Sequence, residues 1–407
     1  MTNLQSIGDG APLLIPKVDI DPFEEQFLLN PYAYHDALRD PGPVVWLSRY
    51  NIFAMARYEE VRSALIDHET FLSGRGVGLS DFAKEEPWRP PSLLLEVDPP
   101  LHDRTRSIMQ SVVSPASLKT LEPVWTSKAA ALVDQLVKQG GFDAVSDLSE
   151  AFPMLIFPDA VGLMEEGREN LLVYAATVFN AFGPRNRLLT ESMNTAREAS
   201  AWVASACKRE NLREDGWGAA VYEAADNGAC TQEEAQRLLR SLLSAGVDTT
   251  VNGIATVIYA LTQFPEQWKK LRENPRLVRK AGEESLRWDS TVQTFFRTTA
   301  REVAIGDTLI PKHTKVLLFL GAANRDPRKW ENPDRFDITR NTSGHVGFGA
   351  GIHQCLGQMI ARLETQFILS ALVEKCQAII VDGPVLRRAN NTLHALKSLP
   401  VRVTPSS

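Results

Sequence analysis

Phe348-Gly349-Ala350-Gly351-Ile352-His353-Gln354-Cys355-Leu356-Gly357 is the stretch on which the fold turns. A cysteine follows a glycine-rich turn and leads into LGQMIARLETQFILSALV, whose apolar period reads as a helix. A helix N-terminus favours a thiolate, because its free N–H groups can donate to sulfur. The glycines let the backbone turn sharply and approach a flat ligand with no Cβ in the way. A lone cysteine is more often inert packing. Here the fixed offsets of Phe348, Gly351, His353 and Gly357 around Cys355 favour a working thiolate.

The other cysteines narrow the choice. Cys207, Cys230 and Cys376 are far apart in the sequence, and no CxxC pair exists. That spacing argues against a zinc cluster and a disulfide framework. The net charge of -6 gives no general reason to expect nucleic acid or an anionic membrane as partner. With 44% apolar and 23% charged residues, the 407-residue chain can bury a large core. No stretch approaches the ~20 apolar residues of a membrane span. The N-terminus has no basic segment followed by an apolar run, so a cytoplasmic location is expected.

Upstream, residues 1–20 read as a loose N-terminal arm and residues 21–407 as a single domain, mainly α with a minor β portion. Pro43 to Tyr58 reads as two short strands around a turn, and Val303 to Leu320 as a hairpin. Gly74 to Pro100 is rich in Gly and Pro with no periodicity, the mark of a functional or disordered loop. Leu101 to about Asn274 is mostly helical.

Within that region, Thr231 to Phe264 reads as one long helix. Thr231 and Glu234 form a capping box at its start, and Pro265 stops it. At 1.5 Å per residue it would be roughly 50 Å long, enough to cross a domain. Its middle, SLLSAGVDTTVNG, is polar. Ser241, Ser244, Ala245, Asp248, Thr249 and Asn252 fall on one helical face. That face meets either solvent or a buried ligand.

Four further segments, in chain order with the cysteine loop, complete a set: His102-Asp103-Arg104-Thr105-Arg106, Ala245-Gly246-Val247-Asp248-Thr249-Thr250, Glu284-Ser285-Leu286-Arg287 and Asn332-Pro333-Asp334-Arg335-Phe336. Together they resemble the motifs of the cytochromes P450, over nearly the whole chain after the arm. The resemblance implies haem b held between the long central helix and the cysteine loop, with Cys355 as axial ligand. His102, Arg106, Arg297 and His353 are the candidates for its propionates, since two buried anions need cations or donors. Ala245, Phe348, Gly349 and Gly357 would lie against the macrocycle. Asp248 and Thr249 would relay protons to oxygen, although a threonine in a helix can also bond back to the carbonyl four residues earlier. Glu284 and Arg287, at i and i+3, can pair on one face. Arg335 is expected to complete their network, as structural support for the cysteine loop.

The runs SGRGVGLSDF, PWRPPSLLLE, VFNAFGP, RSLLSAGVDTTVNG, STVQTFFRTTA and NRDPRKW are similar to bacterial P450s that oxidise para-substituted benzoic acids. That resemblance implies carboxylate anchors at Arg89 and Ser92, assisted by Ser241 with Arg240 beside it. It implies ring contacts from Phe179, Phe182 and Phe295, and a pocket completed by Leu95, Val292, Ser244 and Ala245. A planar acid needs a cationic anchor and flat apolar walls. Held at its acid end, it would point its para substituent at the iron. A methoxy carbon hydroxylated there collapses to formaldehyde and a phenol. The chain is too short to include a fused reductase. An iron–sulfur ferredoxin and a separate flavin-dependent NADH reductase are implied as partners, with O2 as co-substrate. A basic patch with Arg104, Arg328 and Lys329 is the expected ferredoxin contact. Two alternatives remain: a P450 of a neutral substrate such as a terpenoid, and a haem-based sensor without turnover. The acid–alcohol pair Asp248-Thr249 speaks against the sensor and against a peroxide-driven enzyme.

Overall fold

The computed structural model describes residues 15–406. Most of the arm read over residues 1–20 therefore lies outside the described residues. Its last part is not loose: Lys17–Val18 pairs in parallel with Val45–Leu47, and Val18 is buried. The two strands expected between Pro43 and Tyr58 form, as Val45–Leu47 and Ile52–Met55. They belong to a six-stranded sheet ordered Lys17–Val18, Val45–Leu47, Ile52–Met55, Lys315–Phe319, Thr294–Thr299, Phe71–Leu72. Of the hairpin expected over Val303 to Leu320, Val303–Ile305 against Thr308–Ile310 forms one, while Lys315–Phe319 joins the larger sheet instead. Residues 73–100 contain turns and bends but neither helix nor strand.

Two smaller sheets, Cys376–Val381 with Pro400–Pro405 and Gly141–Asp143, and Leu386–Arg388 with Ala395–Ser398, complete the β portion, and most of the remaining structure is helical. The capping box at Thr231 and Glu234 is present, with the Thr231 hydroxyl accepting from the Glu234 N–H at 3.1 Å. The single long rod is not. It is two helices, Gln232–Gly246 and Asp248–Gln263, joined at Val247 with φ -109° and ψ -67°. Side chains explain the break. Thr249 Oγ1 donates to the Ala245 carbonyl at 2.8 Å, and Thr250 Oγ1 to that of Gly246 at 3.4 Å. Such hydroxyls compete with backbone N–H groups for carbonyls and bend helices. Gly246 fits a tight contact as well, because a Cβ there would stand 2.3 Å from the Phe157 ring.

The second half of the pair, from Thr250 to Ala260, is buried almost all round. It packs on Ala144–Glu150, Val278–Trp288 and Gln358–Lys375. The cysteine loop lies where these helices meet the sheet. Its glycines do specific work: Gly349 and Gly351 both have φ +71°, and a Cβ on Gly351 would meet the Leu65 carbonyl at 2.6 Å.

Candidate functional site

One cavity gathers most of the sequence-predicted residues. Its wall includes Cys355, Phe348, Gly349, Gly357 and His353 from the cysteine loop. Ser241, Ser244, Ala245, Gly246, Thr249 and Thr250 come from the broken central helix. Arg89, Ser92, Leu95 and Arg106 come from the 73–100 loop and the helix after it. Phe179, Phe182, Val292, Phe295 and Arg297 complete it. The alternation of the strand Thr294–Thr299 explains the last pair. Phe295 and Arg297, two apart, share the cavity face, whereas Phe296 between them is buried against Phe23.

Cys355 sits two residues before the N-cap Gly357 of helix Gln358–Lys375. Its N–H donates to the Phe348 carbonyl at 2.8 Å, which closes the loop. Burial pushes its thiol up, while the Gly357 N–H and the Arg106 and Arg362 cations pull it down. Arg362 stacks over the Phe348 ring at 4.6 Å.

Next to this loop is a cluster of cations and imidazoles. The His102 and His353 rings are 4.4 Å apart, edge to face. His353 Nδ1 meets the Leu94 carbonyl at 3.2 Å, and its pKa falls to about 3, first through burial and then through Arg297 and His102. Arg106 donates to the Gln354 carbonyl at 2.6 Å. Arg297 donates to that of Phe296 at 2.8 Å, and burial lowers its pKa to about 10. Among the described residues no carboxylate forms an ion pair with Arg106 or Arg297. The buried atoms His102 Nε2, His353 Nε2 and Arg106 Nε have no partner there. A buried polar atom left without a partner costs about 1–3 kcal/mol. Such a cluster, beside a thiol and glycines that clear a flat surface, fits a macrocycle carrying two carboxylates. The residues therefore suit haem.

Several expectations need correction. Asp248 and Asn252 do not share the cavity face with Thr249. Asp248 is 2% exposed and turned away, its carboxylate on Arg388 Nη2 at 3.0 Å and on Asn252 Nδ2 at 3.0 Å. The break at Val247 spoils the periodicity on which that face was drawn. Arg335 does not complete the Glu284–Arg287 network with its side chain, which is exposed. Only its carbonyl takes part, accepting from Arg287 at 3.1 Å. The guanidinium in that place is Arg340, whose Nε reaches Glu284 Oε1 at 3.2 Å. Arg240 is outside the cavity wall and holds the Pro90 carbonyl at 2.7 Å. The basic patch is largely spent, with Arg104 on Glu234 and Arg328 on Asp326 and Asp40.

At the polar part of the cavity, Ser92 Oγ donates to Ser241 Oγ at 2.9 Å, and Ser241 Oγ donates to the Arg237 carbonyl at 2.8 Å. Sequence reasoning missed Glu96 here. It is buried and accepts from both Arg89 and the Ser92 N–H. Its spacing of four from Ser92 was the only local hint. Phe179, Phe182 and Phe295 form a chain of edge-to-face rings, with centroids 5.7 and 5.8 Å apart. Ser241 and Thr249 lie on opposite sides of the break at Val247.

A family profile described as Cytochrome P450 matches residues 209–404. Cytochrome p450 CYP199A2 of Rhodopseudomonas palustris is 53% identical over 393 residues, which are 96% of this chain and 95% of that protein. A biotin biosynthesis cytochrome P450 of Bacillus subtilis is 31% identical over 386 residues, 92% of this chain and 97% of that protein. Among solved structures, cytochrome P450 CREJ in complex with (4-ethylphenyl) dihydrogen phosphate matches with a TM-score of 0.86 at 27% identity, covering 94% of this chain and 99% of that chain. Among the described residues no helix is long and apolar enough to cross a membrane.

Proposed function

The chain belongs to the cytochrome P450 family, whose members bind haem b through a cysteine thiolate, and on that premise we propose that this monooxygenase oxidises aromatic carboxylic acids at the para substituent. The observation that carries the reading is the cavity itself. Its wall includes the rings of Phe179, Phe182 and Phe295 and aliphatic side chains, with the Arg89 guanidinium and the Ser92 and Ser241 hydroxyls brought to one part of it. A flat acid needs that combination. The anionic para-substituted aromatic bound to CREJ supports it, as does the similarity to CYP199A2.

Within this proposal Cys355 would ligate the haem iron, and His102, Arg106, Arg297 and His353 would hold the propionates. What haem b supplies when bound is reductive activation of O2, with the thiolate favouring O–O cleavage. Arg89, Ser92 and Ser241 take the substrate carboxylate. Phe179, Phe182 and Phe295 hold the ring, and Leu95, Val292, Ser244 and Ala245 fill the remaining wall. Anchoring one end fixes which carbon faces the reaction, so selectivity comes from geometry. Thr249 has its own proton engaged by the Ala245 carbonyl, so its oxygen is free to accept. Asp248, held by the part-exposed Arg388, would bring protons from the outer side across the broken turn. Electrons come from redox partners, for which we propose an iron–sulfur ferredoxin and a flavin-dependent NADH reductase.

Arg89→Ala tests the anchor. It removes a charge-assisted hydrogen bond worth about 1.5–3 kcal/mol, so the spectral Kd of 4-methoxybenzoate should rise roughly 10- to 150-fold. The neutral 4-methylanisole should change much less. Equal weakening of both ligands would remove the acid from the reading. A neutral substrate is the second reading, and one observation favours it: Glu96 already balances the charge of Arg89.

Thr249→Ala tests the relay. Binding of 4-methoxybenzoate should persist, while product per NADH drops and hydrogen peroxide rises. Unchanged coupling in a competent redox chain would take Thr249 out of proton transfer.

A further inference from the structure

The guanidinium that would read the substrate acid is held from behind. Arg89 Nη1 donates to Glu96 Oε2 at 3.1 Å and to the Pro90 carbonyl at 3.1 Å. The same Glu96 oxygen accepts from the Ser92 N–H at 2.7 Å. One carboxylate therefore fixes both residues assigned to the acid end. The Arg89 and Glu96 side chains are 10% and 2% exposed, and only Arg89 belongs to the cavity wall.

A guanidinium is a rigid planar fork with five N–H donors. With Nη1 committed to Glu96, the edge formed by Nε and Nη2 is left over. Arg89 Nε is buried and has no partner among the described residues. An unpaired buried donor is costly, and this edge matches a carboxylate bidentately. Buried alone, Arg89 would also lack a counter-charge. Arg237 and Arg240, which hold the Pro91 and Pro90 carbonyls at 3.0 and 2.7 Å, add only more positive charge nearby.

We propose that Glu96 is the positioning residue that sets acid specificity: by holding Nη1 of Arg89 and the Ser92 backbone, it presents the Nε–Nη2 edge of Arg89 to an incoming carboxylate. It also supplies the charge that keeps Arg89 buried before substrate arrives. This rests on the aromatic-acid reading above, and it names a residue that touches no substrate.

The test is a double-mutant cycle on the ferric holoenzyme, with spectral Kd values for 4-methoxybenzoate and 4-methylanisole. Glu96→Gln should weaken the acid by about tenfold, the scale of one charge-assisted hydrogen bond. It should leave the neutral ligand within a factor of about two. The pair Arg89→Ala with Glu96→Gln should bind the acid no worse than Arg89→Ala alone, because residues acting through one another are not additive. Glu96→Asp, which keeps the charge on a shorter arm, should fall between wild type and Glu96→Gln. It carries the same cycle if Glu96→Gln fails to yield a normal reduced carbonyl spectrum. Acid binding that is unchanged or tighter in Glu96→Gln, or full additivity, overturns the role of Glu96. If Arg89→Ala itself fails to separate acid from neutral ligand, the aromatic-acid reading falls. If Arg89→Ala separates them and Glu96→Gln does not, only the role of Glu96 falls.

Discussion

Cys355→Ser is expected to abolish the red-shifted Soret band of the reduced carbonyl complex and all monooxygenase turnover. Of the four cysteines, only Cys355 lines the cavity. Burial drives the thiols of the other three up, Cys207 to about 12, Cys376 to about 11, and Cys230 in the same direction. Among the described residues no backbone N–H supports those three sulfurs, whereas the Gly357 N–H supports that of Cys355. A coordinating thiol is deprotonated by the metal outright, so what distinguishes Cys355 is its position facing the cavity. Serine keeps the loop's shape but offers a much poorer, harder donor. A variant that retains the shifted band would transfer the ligand role to another cysteine and undo the assignment.

The second large effect concerns stability. Arg287 and Glu284 are both fully buried and meet through two bonds of 2.8 Å. Arg287 also donates to the carbonyls of Asn324, Pro333 and Arg335, at 3.0, 2.8 and 3.1 Å. It thus ties helix Val278–Trp288 to the segments leading into the cysteine loop. Removing one member of a buried pair leaves an uncompensated charge and costs about 3–5 kcal/mol. Whole domains hold only about 5–15 kcal/mol. Arg287→Ala should therefore leave little or no haem-loaded protein, with a strongly lowered unfolding midpoint in what remains. The control is specific. Arg335→Ala removes an exposed side chain and should change stability by no more than about 0.5 kcal/mol. Arg340→Ala, which strips a guanidinium from Glu284, should fall between the two. A large loss in Arg335→Ala with none in Arg340→Ala would reverse their roles. Chemical denaturation of the three variants, followed with the haem yield, decides it.

These outcomes separate what the chain writes locally from what its folding adds. The sequence by itself determined the family, the iron-ligand candidate and every feature set by spacing within one regular element. The capping box at Thr231 and Glu234 and the Glu284–Arg287 pair follow from three-residue separations on a helix, where backbone geometry brings the side chains together whatever surrounds them. The shared face of Phe295 and Arg297 follows from alternation only once the structure makes Thr294–Thr299 a strand, which sequence reasoning did not mark. Where regularity ends, the sequence loses its ruler. Thr249 and Thr250 take carbonyls from the helix ladder at Val247, and the rotation there turns Asp248 from the cavity towards Arg388, 140 residues away. In the irregular stretch after Asn324 no period aims a side chain at Glu284; Arg335 is the expected partner, and the path of the loop puts Arg340 there instead. In the loop before the first cavity helix, Arg89 has no periodicity to aim it, and its pairing with Glu96 comes from how that loop folds against the central helix. Side chains on regular elements inherit their direction from the backbone period. Those on loops and helix breaks take theirs from whichever buried charge or carbonyl the tertiary structure brings within reach, because leaving such groups unpaired costs more than bending the chain to meet them.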